Sequence, residues 1–323
     1  MVNIAILGFG TVGSGVAEVL TKNSGLIDGR VNNQVRLKYI MRARDIFEGP
    51  YKDLFVKDFS TIEHDPEVGI VVETIGGVGA ALDYTTRALK AGKSVVTANK
   101  ELVATHGYEL LQLAKEHGVS YLFEASVGGG IPILRPLNAC LAANEVDQVT
   151  GILNGTTNYI LTRMIKAGLT FDQALKEAQA NGYAEQDPTA DVDGHDACRK
   201  TCILAALSFG QHVYPDQVPT QGIRGVSLAD VAYADSCGYK IKLLGRAIRE
   251  PEGKVCAFVA PHLVSCENPL AGVEDVFNAI AVTGNAVGDV MFYGRGAGKL
   301  PTASAVVADV MDIRSEERRV GKE

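Results

Sequence analysis

Residues 2–20 read VNIAILGFGTVGSGVAEVL and organise the N-terminal half of the chain. An apolar strand leads into a glycine-rich turn, and the pattern of a helix follows it. Three glycines have the spacing G-x-G-x-x-G, namely Gly8, Gly10 and Gly13. The first permits a tight turn, the second lets a pyrophosphate approach the backbone, and the third lets helix and strand pack closely. The helix opens at Thr11 and Val12, whose N–H groups would face the phosphates, so the stretch predicts a dinucleotide site.

Strands and helices continue to alternate after this stretch. The expected strands are Val35–Met41, Gly69–Gly77, Ser94–Leu102 and a run from Val119, and the expected helices cover about Ala80–Ala91 and Tyr108–His117. This alternation predicts an α/β fold with a parallel, doubly wound sheet. Ligands of such sheets bind beyond the carboxyl ends of the strands. We therefore expect Thr97 and Lys100, at one such end, to belong to the cofactor site.

The end of the second strand is where a dinucleotide-binding fold reads the ribose. An acidic residue there binds the 2′-hydroxyl of NAD, whereas an arginine accommodates the 2′-phosphate of NADP. This chain has Arg42 at that position, followed by Arg44 and Asp45. The cofactor is therefore NADP or NAD, and Arg42 favours NADP. An exposed loop of mixed charge is the competing interpretation, and Lys57 is a further candidate for binding the phosphate.

A second polar stretch, NGYAEQDPTADVDGHDACRK at 181–200, predicts the site of chemistry. Its acidic residues precede one basic pair: Glu185, Asp187, Asp191, Asp193 and Asp196 come before Arg199 and Lys200. Asp196 and Lys200 share one face of a predicted helix, HDACRKTCILAALSF, which is apolar after Lys200 and is expected to be buried. Burial lowers the pKa of a lysine and a neighbouring carboxylate raises it, so Lys200 is a candidate for proton transfer. A solvated acidic loop with a salt-bridged helix start is the alternative.

The chain around this stretch predicts an α+β domain with an antiparallel or mixed sheet. The expected strands are Val146–Leu153, Tyr239–Ala247, Val255–His262 and Asn278–Thr283, and the expected helices are Thr157–Ala167, Phe171–Asn181 and Leu228–Ser236. The turn at Asn154 precedes a helix, so Gly155 and Thr156 are candidate backbone donors to a small substrate. Gly284–Gly298 is expected to be a glycine-rich turn before a helix with Pro301 in its first turn.

These patterns divide the chain into domains. We predict a dinucleotide-binding domain over 1–132 and 302–313 and a catalytic domain, for substrate binding and oligomerisation, over 133–301. Residues 314–323 are mostly charged, without an apolar stripe, and are expected to form a disordered tail.

The composition fits a compact α/β enzyme, with 323 residues, 46% of them hydrophobic, and 35 glycines. The formal net charge of −7 argues against nucleic acid or an anionic membrane as a partner. We expect neither a membrane segment nor a signal peptide, because no apolar run reaches about 18 residues and Met1 leads directly into a strand. The six cysteines are scattered, mostly in apolar runs, which is typical of reduced thiols in a cytoplasmic protein.

Several segments together resemble the homoserine dehydrogenase family, over residues 2 to about 313. They are GFGTVGSG, VVETIGG, VVTANKELVA, EASVGGGIPI, GILNGTTNYI, GYAEQDPTADVDGHDACRK, GYKIKLLGRA and YGRGAGKLPTASAVVAD. The resemblance implies reversible oxidation of L-homoserine to L-aspartate 4-semialdehyde with NAD or NADP, a step in threonine, methionine and isoleucine biosynthesis. It also implies a homodimer or homotetramer built through the sheet of the second domain.

Matched residue by residue, the resemblance implies roles for individual positions. Lys200 would be the proton donor and acceptor, and Glu185, Asp191 and Asp196 would bind the substrate. The cofactor-contacting positions would be Gly10, Thr11, Val12, Lys100, Gly182 and Gly298. Backbone oxygens would bind a sodium ion near Glu124, Val127, Gly129 and Ile131.

The chain departs from the family pattern in two places. Arg42 stands where many relatives have an acidic residue, which weakens the expectation of NAD preference. Many members carry a C-terminal regulatory domain that binds an amino acid such as threonine. The chain ends before such a domain, so we expect no feedback inhibition through it.

Two other functions compete with this one. An aldehyde-oxidising dehydrogenase such as aspartate-semialdehyde dehydrogenase needs an activated cysteine. The best candidate, Cys140, lies in an apolar run without a histidine nearby in the sequence. A dinucleotide-sensing regulator would bind NAD(P)H without chemistry, but the sequence has no basic DNA-binding segment to support it.

Overall fold

The computed structural model describes residues 1–42 and 49–320, so Arg44 and Asp45 lie outside the described residues. The chain forms two compact units. The first comprises Met1–Gly130 and the chain from Gly298 onward, and the second comprises Ile131–Ala297. In the described part of the chain, none of the helices combines the length and the apolar character that a membrane span requires.

The first unit contains a parallel sheet flanked by helices. Its elements up to residue 130 are β1 (Val2–Leu7), α1 (Thr11–Lys22), α2 (Ser24–Val31), β2 (Val35–Met41), β3 (Phe55–Val56), α3 (Ser60–Glu63), β4 (Val68–Glu73), α4 (Gly79–Lys90), β5 (Ser94–Thr97), α5 (Lys100–Glu116) and β6 (Tyr121–Leu122). Within the described residues the strand order is β3-β2-β1-β4-β5-β6, and every neighbouring pair is parallel. This order confirms the predicted doubly wound sheet.

Strand β1 lies in the middle of this sheet, and all of its residues are buried. Such complete burial is expected of a parallel strand that is covered on both faces. Ile4 and Ile6 of β1 belong to one apolar core with Val16 and Leu20 of α1. This packing holds the glycine turn between β1 and α1 at the carboxyl edge of the sheet.

The strand predicted over Ser94–Leu102 is too long, because β5 ends at Thr97 and α5 begins at Lys100. The reason is a helix cap: the side-chain oxygen of Asn99 accepts a hydrogen bond from the N–H of Leu102 at 3.1 Å. An N-cap of this kind satisfies an amide of the first turn and starts the helix there. The helix predicted over Tyr108–His117 therefore begins much earlier than expected.

The second unit contains an antiparallel sheet and a set of helices. Its elements are β7 (Val146–Ile152), α6 (Gly155–Ala167), α7 (Phe171–Ala180), α8 (Thr189–Val192), α9 (His195–Phe209), α10 (Leu228–Ser236), β8 (Tyr239–Arg249), β9 (Val255–Ser265), β10 (Phe277–Gly284) and β11 (Gly288–Arg295). In the described residues the order is β11-β10-β7-β8-β9, with antiparallel pairing throughout. The predicted α+β second domain is thus confirmed.

Strand β11 falls inside Gly284–Gly298, which the sequence predicts to be a glycine-rich turn. Gly288 has a φ of +68° and makes the tight turn from β10 possible. Exposed and half-buried side chains then alternate along the strand. In the sequence, residues 290–293 form a continuous apolar run of four between glycines at 288 and 294, without alternation of polar and apolar residues, which is why the strand was not predicted.

The two faces of the second sheet differ in what covers them. Helix α9 packs on one face so closely that a Cβ atom on Gly245 would lie 2.1 Å from Thr201 Oγ1. Residues next to Gly245 in the chain point to the opposite face. Leu270, Ala271 and Val273 cover part of that opposite face, where Ile152, Leu244 and Ala279 are buried. We call the remainder the open sheet face, and strand register assigns to it Thr150, Arg246, Phe258, Ala281, Met291 and Tyr293. Met291 and Tyr293 are exposed there.

The chain returns to the first unit with α11 (Lys299–Val320), which packs on α1. A Cβ atom on Gly15 of α1 would lie 2.8 Å from the carbonyl oxygen of Lys299 and 3.1 Å from Ala303 Cβ. The absence of a side chain at Gly15 therefore allows the two helices to approach. Helix α11 continues past residue 313, beyond which the sequence predicts a disordered tail.

Candidate active site

The turn between β1 and α1 has the backbone conformation and close packing of a phosphate-binding turn. Gly8 has a φ of +92°, and a Cβ atom there would lie 2.9 Å from the carbonyl oxygen of Thr74. A Cβ atom on Gly13 would lie 2.1 Å from the carbonyl oxygen of Gly8, so helix and strand pack as closely as the motif requires. Gly10 is the N-cap of α1 without a side-chain cap, and a Cβ atom there would meet open space. The first turn of α1 is therefore open to an anion.

Cavities lie on both sides of this turn. The larger, of about 590 Å³, is lined by residues that include Phe9, Gly10, Thr11, Tyr51 and Lys299. The smaller, of about 240 Å³, is lined by residues that include Val12, Gly76, Gly77, Asn99 and Lys100. A dinucleotide has its pyrophosphate in the middle, so one cavity on each side of the glycine turn suits its two nucleoside halves.

Arg42, the residue expected to contact the ribose of the cofactor, lies where β2 and β3 end. Met41 of β2 pairs with Val56 of β3, and the N–H of Arg42 donates to the carbonyl oxygen of Val56 at 3.1 Å. Lys57 follows Val56 directly and is exposed. Because the strands are parallel, Arg42 and Lys57 lie at neighbouring strand ends.

Of the two residues expected at the end of β5, only Lys100 lines the smaller cavity. Thr97 is fully buried, and its hydroxyl donates to Glu73 Oε2 at 2.5 Å. Thr97 thus lies behind the cavity wall, where it can affect a cofactor only through other residues.

The acidic stretch contains the buried ion pair that its spacing predicts. Lys200 Nζ lies 2.7 Å from Asp196 Oδ2, and both residues are buried within α9. Nζ also donates to the carbonyl oxygen of Leu153 at 2.7 Å, which ties α9 to the end of β7. The ammonium and the carboxylate are thereby held in one orientation, away from bulk water.

Asn154 connects this pair to a second carboxylate, and the sequence did not identify it as a site residue. Its Nδ2 donates to Asp191 Oδ1 at 2.7 Å and to Asp196 Oδ2 at 2.9 Å. Its Oδ1 accepts from the N–H of Thr157 at 2.8 Å and caps α6. The available signal was an asparagine between a strand and a helix, which is a preferred cap. The spacing could not show that its amide would bridge two distant aspartates.

The remaining acidic residues lie elsewhere. Glu185 is exposed. Asp187 accepts from the N–H of Thr189 at 3.1 Å, and Asp193 forms an ion pair with Arg224 at 2.5 Å. The structure therefore brings Asp191, Asp196 and Lys200 into one hydrogen-bonded group, which does not include Glu185, Asp187 or Asp193.

The turn at the start of α6 is closely packed. A Cβ atom on Gly155 would lie 2.8 Å from the carbonyl oxygen of Val276. The Thr156 hydroxyl donates to the carbonyl oxygen of Tyr183 at 2.6 Å. Gly155 and Thr156 thus follow Asn154 directly, in a turn whose packing leaves no room for a side chain at Gly155.

The other positions implied by resemblance are divided between the units. Gly298, with a φ of +130°, precedes α11 in the first unit, and Gly182, with a φ of +72°, follows α7 in the second. Glu124, Val127 and Gly129 belong to a buried turn of the first unit, and Ile131 begins the second. Among the described residues, no cluster of three His, Cys, Asp or Glu side chains could hold a metal ion.

Comparison with known proteins gives consistent matches over nearly the whole chain. Family models match residues 8–124, as the NAD-binding domain of homoserine dehydrogenase, and residues 132–311, as homoserine dehydrogenase. A homoserine dehydrogenase from Synechocystis sp. is 46% identical over 319 residues, which cover 97% of this chain and 73% of that protein. The crystal structure of a homoserine dehydrogenase from Thiobacillus denitrificans is similar with a TM-score of 0.92 and 42% identity, covering 97% of this chain and 73% of that one. A hyperthermophilic archaeal homoserine dehydrogenase in complex with NADPH has a TM-score of 0.81 and 30% identity, covering 98% of each chain.

Proposed function

Because this chain belongs to the homoserine dehydrogenase family of NAD(P)-dependent oxidoreductases, we propose that Asn154, Asp191, Asp196 and Lys200 carry out the family's reaction. That reaction is the reversible interconversion of L-homoserine and L-aspartate 4-semialdehyde in threonine, methionine and isoleucine biosynthesis. Family membership leaves no support for the cysteine-dependent dehydrogenase or the dinucleotide-sensing regulator. The observation that carries the residue assignment is the buried ion pair of Lys200 and Asp196, with an N–O distance of 2.7 Å.

Lys200 is the group that moves the proton of the substrate hydroxyl. Reduction of the aldehyde places negative charge on its oxygen, and oxidation of the alcohol removes the proton from the same oxygen. The nicotinamide, when bound, supplies or accepts the hydride, so the protein must provide the proton and the orientation. The Lys200 ammonium is held by Asp196 and by the Leu153 carbonyl, each at 2.7 Å. A general acid or base fixed in this way contributes roughly 10²–10⁴-fold to the rate.

The carboxylates bind the α-ammonium group of the substrate. Asp191 is half-buried and Asp196 is buried, and both accept hydrogen bonds from Asn154 Nδ2. A cation bound between carboxylates forms charge-assisted hydrogen bonds, which are stronger than neutral ones. Glu185 is exposed and lies outside this hydrogen-bonded group, so it is kept as a third substrate carboxylate on the family resemblance alone. Gly155 and Thr156 contribute backbone donors at the start of α6.

We infer that NADP is the preferred cofactor. Its pyrophosphate binds at Gly8, Gly10, Thr11, Val12 and Gly13, and Lys100 and Gly298 are further cofactor positions of the same unit. Thr97 acts on the cofactor only through the cavity wall in front of it. Gly182 is kept as a cofactor position on the family resemblance alone. Arg42 occupies the position where NAD-dependent folds place an acidic residue. Lys57 at the neighbouring strand end adds a second positive charge toward a 2′-phosphate.

On the family resemblance alone, we propose a sodium ion at backbone oxygens near Glu124, Val127, Gly129 and Ile131. Val127 and Ile131 are buried. Gly129 is buried as well. Buried carbonyl groups normally have a partner, and hard cations are bound by such oxygens. A sodium ion bound there would hold the turn in place.

We also propose that the enzyme is a homodimer or homotetramer in the cytoplasm. The open sheet face carries exposed Met291 and Tyr293 beside half-buried Ala281 and Phe258. Exposed apolar residues grouped on one face of a sheet are typical of an interface between subunits. All six cysteines have free thiols, as expected in a reducing compartment.

The function is tested by near-ultraviolet absorbance of the reduced nicotinamide. We expect absorbance to rise when the protein is mixed with L-homoserine and NADP, and to rise with NAD at a lower kcat/KM. Arg42→Asp should reverse that preference, because an acidic residue repels the 2′-phosphate and accepts the 2′-hydroxyl. No absorbance change with either cofactor would contradict the activity, and a higher kcat/KM with NAD in the unchanged protein would contradict only the NADP preference.

A further inference from the structure

The carboxylate of Glu73, at the end of β4, is fully buried and has no role in the site described so far. Oε1 accepts hydrogen bonds from the N–H groups of Ile75 at 2.7 Å and Gly76 at 3.3 Å. Oε2 accepts from the hydroxyl of Thr97 at 2.5 Å. A buried carboxylate is costly unless its oxygens are satisfied, so the backbone after β4 is folded around this group.

The same group is linked to the turn after β5. Thr97 Oγ1 accepts from the N–H of Asn99 at 2.9 Å, so the hydroxyl proton points to Glu73. Asn99 Nδ2 then donates to the carbonyl oxygen of Gly77 at 2.6 Å. The hydrogen bonds form a closed ring that joins the turn after β4 to the turn after β5. Asn99 also caps α5, the helix that begins at Lys100.

Both turns line the smaller cavity beside the glycine turn. Gly76 and Gly77 lie on one wall, and Asn99 and Lys100 lie on the other. Gly76 and Gly77 have φ angles of +83° and +68°, a conformation that a glycine adopts without strain. Glu73 and Thr97 do not line the cavity. The hydrogen bonds of Glu73 and Thr97 therefore fix the distance between the two walls from positions outside the cavity.

We propose that Glu73 is a positioning residue for the nicotinamide end of the cofactor, which holds the two walls of the smaller cavity together through Thr97 and Asn99. This inference rests on the proposed function, because it takes the nicotinamide to occupy this cavity. No lysine or arginine among the described residues forms an ion pair with Glu73. Its charge is therefore available to favour the cationic ring of NADP⁺ over the neutral ring of NADPH.

Two variants separate the effect of the hydrogen bonds that join the two cavity walls from the effect of the negative charge of Glu73. Glu73→Gln keeps the shape of the side chain but removes the charge, and Thr97→Val keeps the charge but removes the bridging hydroxyl. The matched control is Thr85→Val, because Thr85 is also fully buried in the first unit and its hydroxyl has no partner in the described residues. Dissociation constants for NADP⁺ and NADPH are measured by fluorescence titration, and folding is checked by thermal unfolding without cofactor.

We expect Glu73→Gln to weaken NADP⁺ binding by about tenfold and NADPH binding by clearly less, so that the ratio of the two constants changes. Thr97→Val should weaken both cofactors to a similar extent, and Thr85→Val should weaken neither. The proposal would be overturned if Glu73→Gln left the ratio of the two dissociation constants unchanged. It would also be overturned if Thr97→Val bound NADPH and NADP⁺ within about twofold of the unchanged protein. If Glu73→Gln does not fold, the result for Thr97→Val decides.

A further variant distinguishes failure of this inference from failure of the proposed cofactor site. A side chain on Gly10 meets no atom within 4 Å, so Gly10→Asp can fold while its carboxylate repels the pyrophosphate. If Gly10→Asp loses cofactor binding while the Glu73 and Thr97 variants keep it, only the inference about Glu73 is wrong. If Gly10→Asp binds NADPH normally, the proposed cofactor site itself is wrong.

Discussion

At the scale of single residues, Lys200 is held on two sides, by the Asp196 carboxylate and by the Leu153 carbonyl. We predict that Lys200→Ala lowers kcat by roughly 10²–10⁴-fold, because the substrate oxygen loses its proton donor and acceptor. NADPH binding should persist, since the glycine turn belongs to the other unit. Steady-state kinetics and fluorescence titration measure the two effects. Lys240→Ala, which removes a lysine paired with Glu274 in the same unit, is the control. Turnover within a few-fold of the unchanged protein would refute the assignment.

Asn154 combines a structural and a functional contact, and the two can be separated. We predict that Asn154→Ala lowers the free energy of unfolding by about 0.5–2 kcal/mol, the usual cost of losing an N-cap. We also predict a loss of about tenfold or more in kcat/KM for homoserine, because Asp191 and Asp196 lose a shared donor.

The control for Asn154 is Thr170→Ala, because Thr170 caps α7 in the same unit. It should lower stability by a similar amount without changing the kinetics. Equal kinetic effects of the two variants would show that Asn154 acts only as a cap.

Lys242 makes the stability of the protein depend on pH. It is buried in β8 and donates to Asn158 Oδ1 at 3.1 Å and to the carbonyl oxygen of Val273. Burial lowers the pKa of Lys242 from 10.5 to about 8. Between these values the unfolded chain binds the proton and the folded chain does not, so the free energy of unfolding rises with pH in this window.

Lys242→Met should remove this contribution. We predict that the unfolding free energy of the unchanged protein, relative to that of the variant, rises by about 3 kcal/mol between pH 8 and pH 10.5. Below pH 8 the lysine is protonated in both states, and the difference between the two proteins should be constant. Urea unfolding at a series of pH values measures it. A difference that does not change between pH 8 and 10.5 would contradict the lowered pKa.

At the scale of the elements, the packing of α1 on α11 depends on Gly15. A Cβ atom there would lie 2.8 Å from the Lys299 carbonyl oxygen and 3.1 Å from Ala303 Cβ. We predict that Gly15→Ala destabilises the protein by about 1–3 kcal/mol, as overpacking usually does. Thermal or urea unfolding measures the change. Gly25→Ala in α2 is the control, since a Cβ atom there meets open space, and it should be neutral or stabilising by up to about 1 kcal/mol.

Helix α9 carries both members of the proposed proton-transfer pair. Most of the helix up to residue 205 is buried, including Cys198, Cys202 and Leu204. The polar pair Asp196 and Lys200 is buried with them and is therefore fixed by the packing of the helix rather than by solvent. A hydrogen bond with the Cys202 thiol lowers the pKa of the Cys198 thiol.

At the scale of the whole molecule, the open sheet face predicts self-association. Met291 is 42% exposed in the single chain, so Met291→Glu should leave the fold of one subunit intact. We predict a dimer or tetramer for the unchanged protein in analytical ultracentrifugation and a shift toward monomer for Met291→Glu, because a carboxylate buried at an interface is costly. Tyr233→Glu, at a 70% exposed position of α10, is the control. If Met291→Glu and Tyr233→Glu sediment alike, the interface does not lie on the open sheet face.

Much of the architecture and part of the site follow from local sequence patterns. The glycine spacing after β1 implies the turn and the helix, and strand Val35–Met41 and helix Leu228–Ser236 have the predicted bounds. The pairing of Asp196 with Lys200 follows from a separation of one helical turn. Such features depend on residues within a few positions of one another, so backbone geometry alone relates them.

Tertiary structure decided the contacts between residues that are far apart in the sequence. It placed Asn154 between Asp191 and Asp196, left Glu185 exposed, and turned Glu73 toward Thr97 behind the cavity wall. No periodicity relates these positions, because their distances depend on how strands and helices pack after they form. The sequence by itself thus determined most of the elements, though not β11, and where a dinucleotide could bind. Only the packing of those elements determined which polar groups share a buried hydrogen-bond network, since a buried polar group must find its partner wherever the fold brings one.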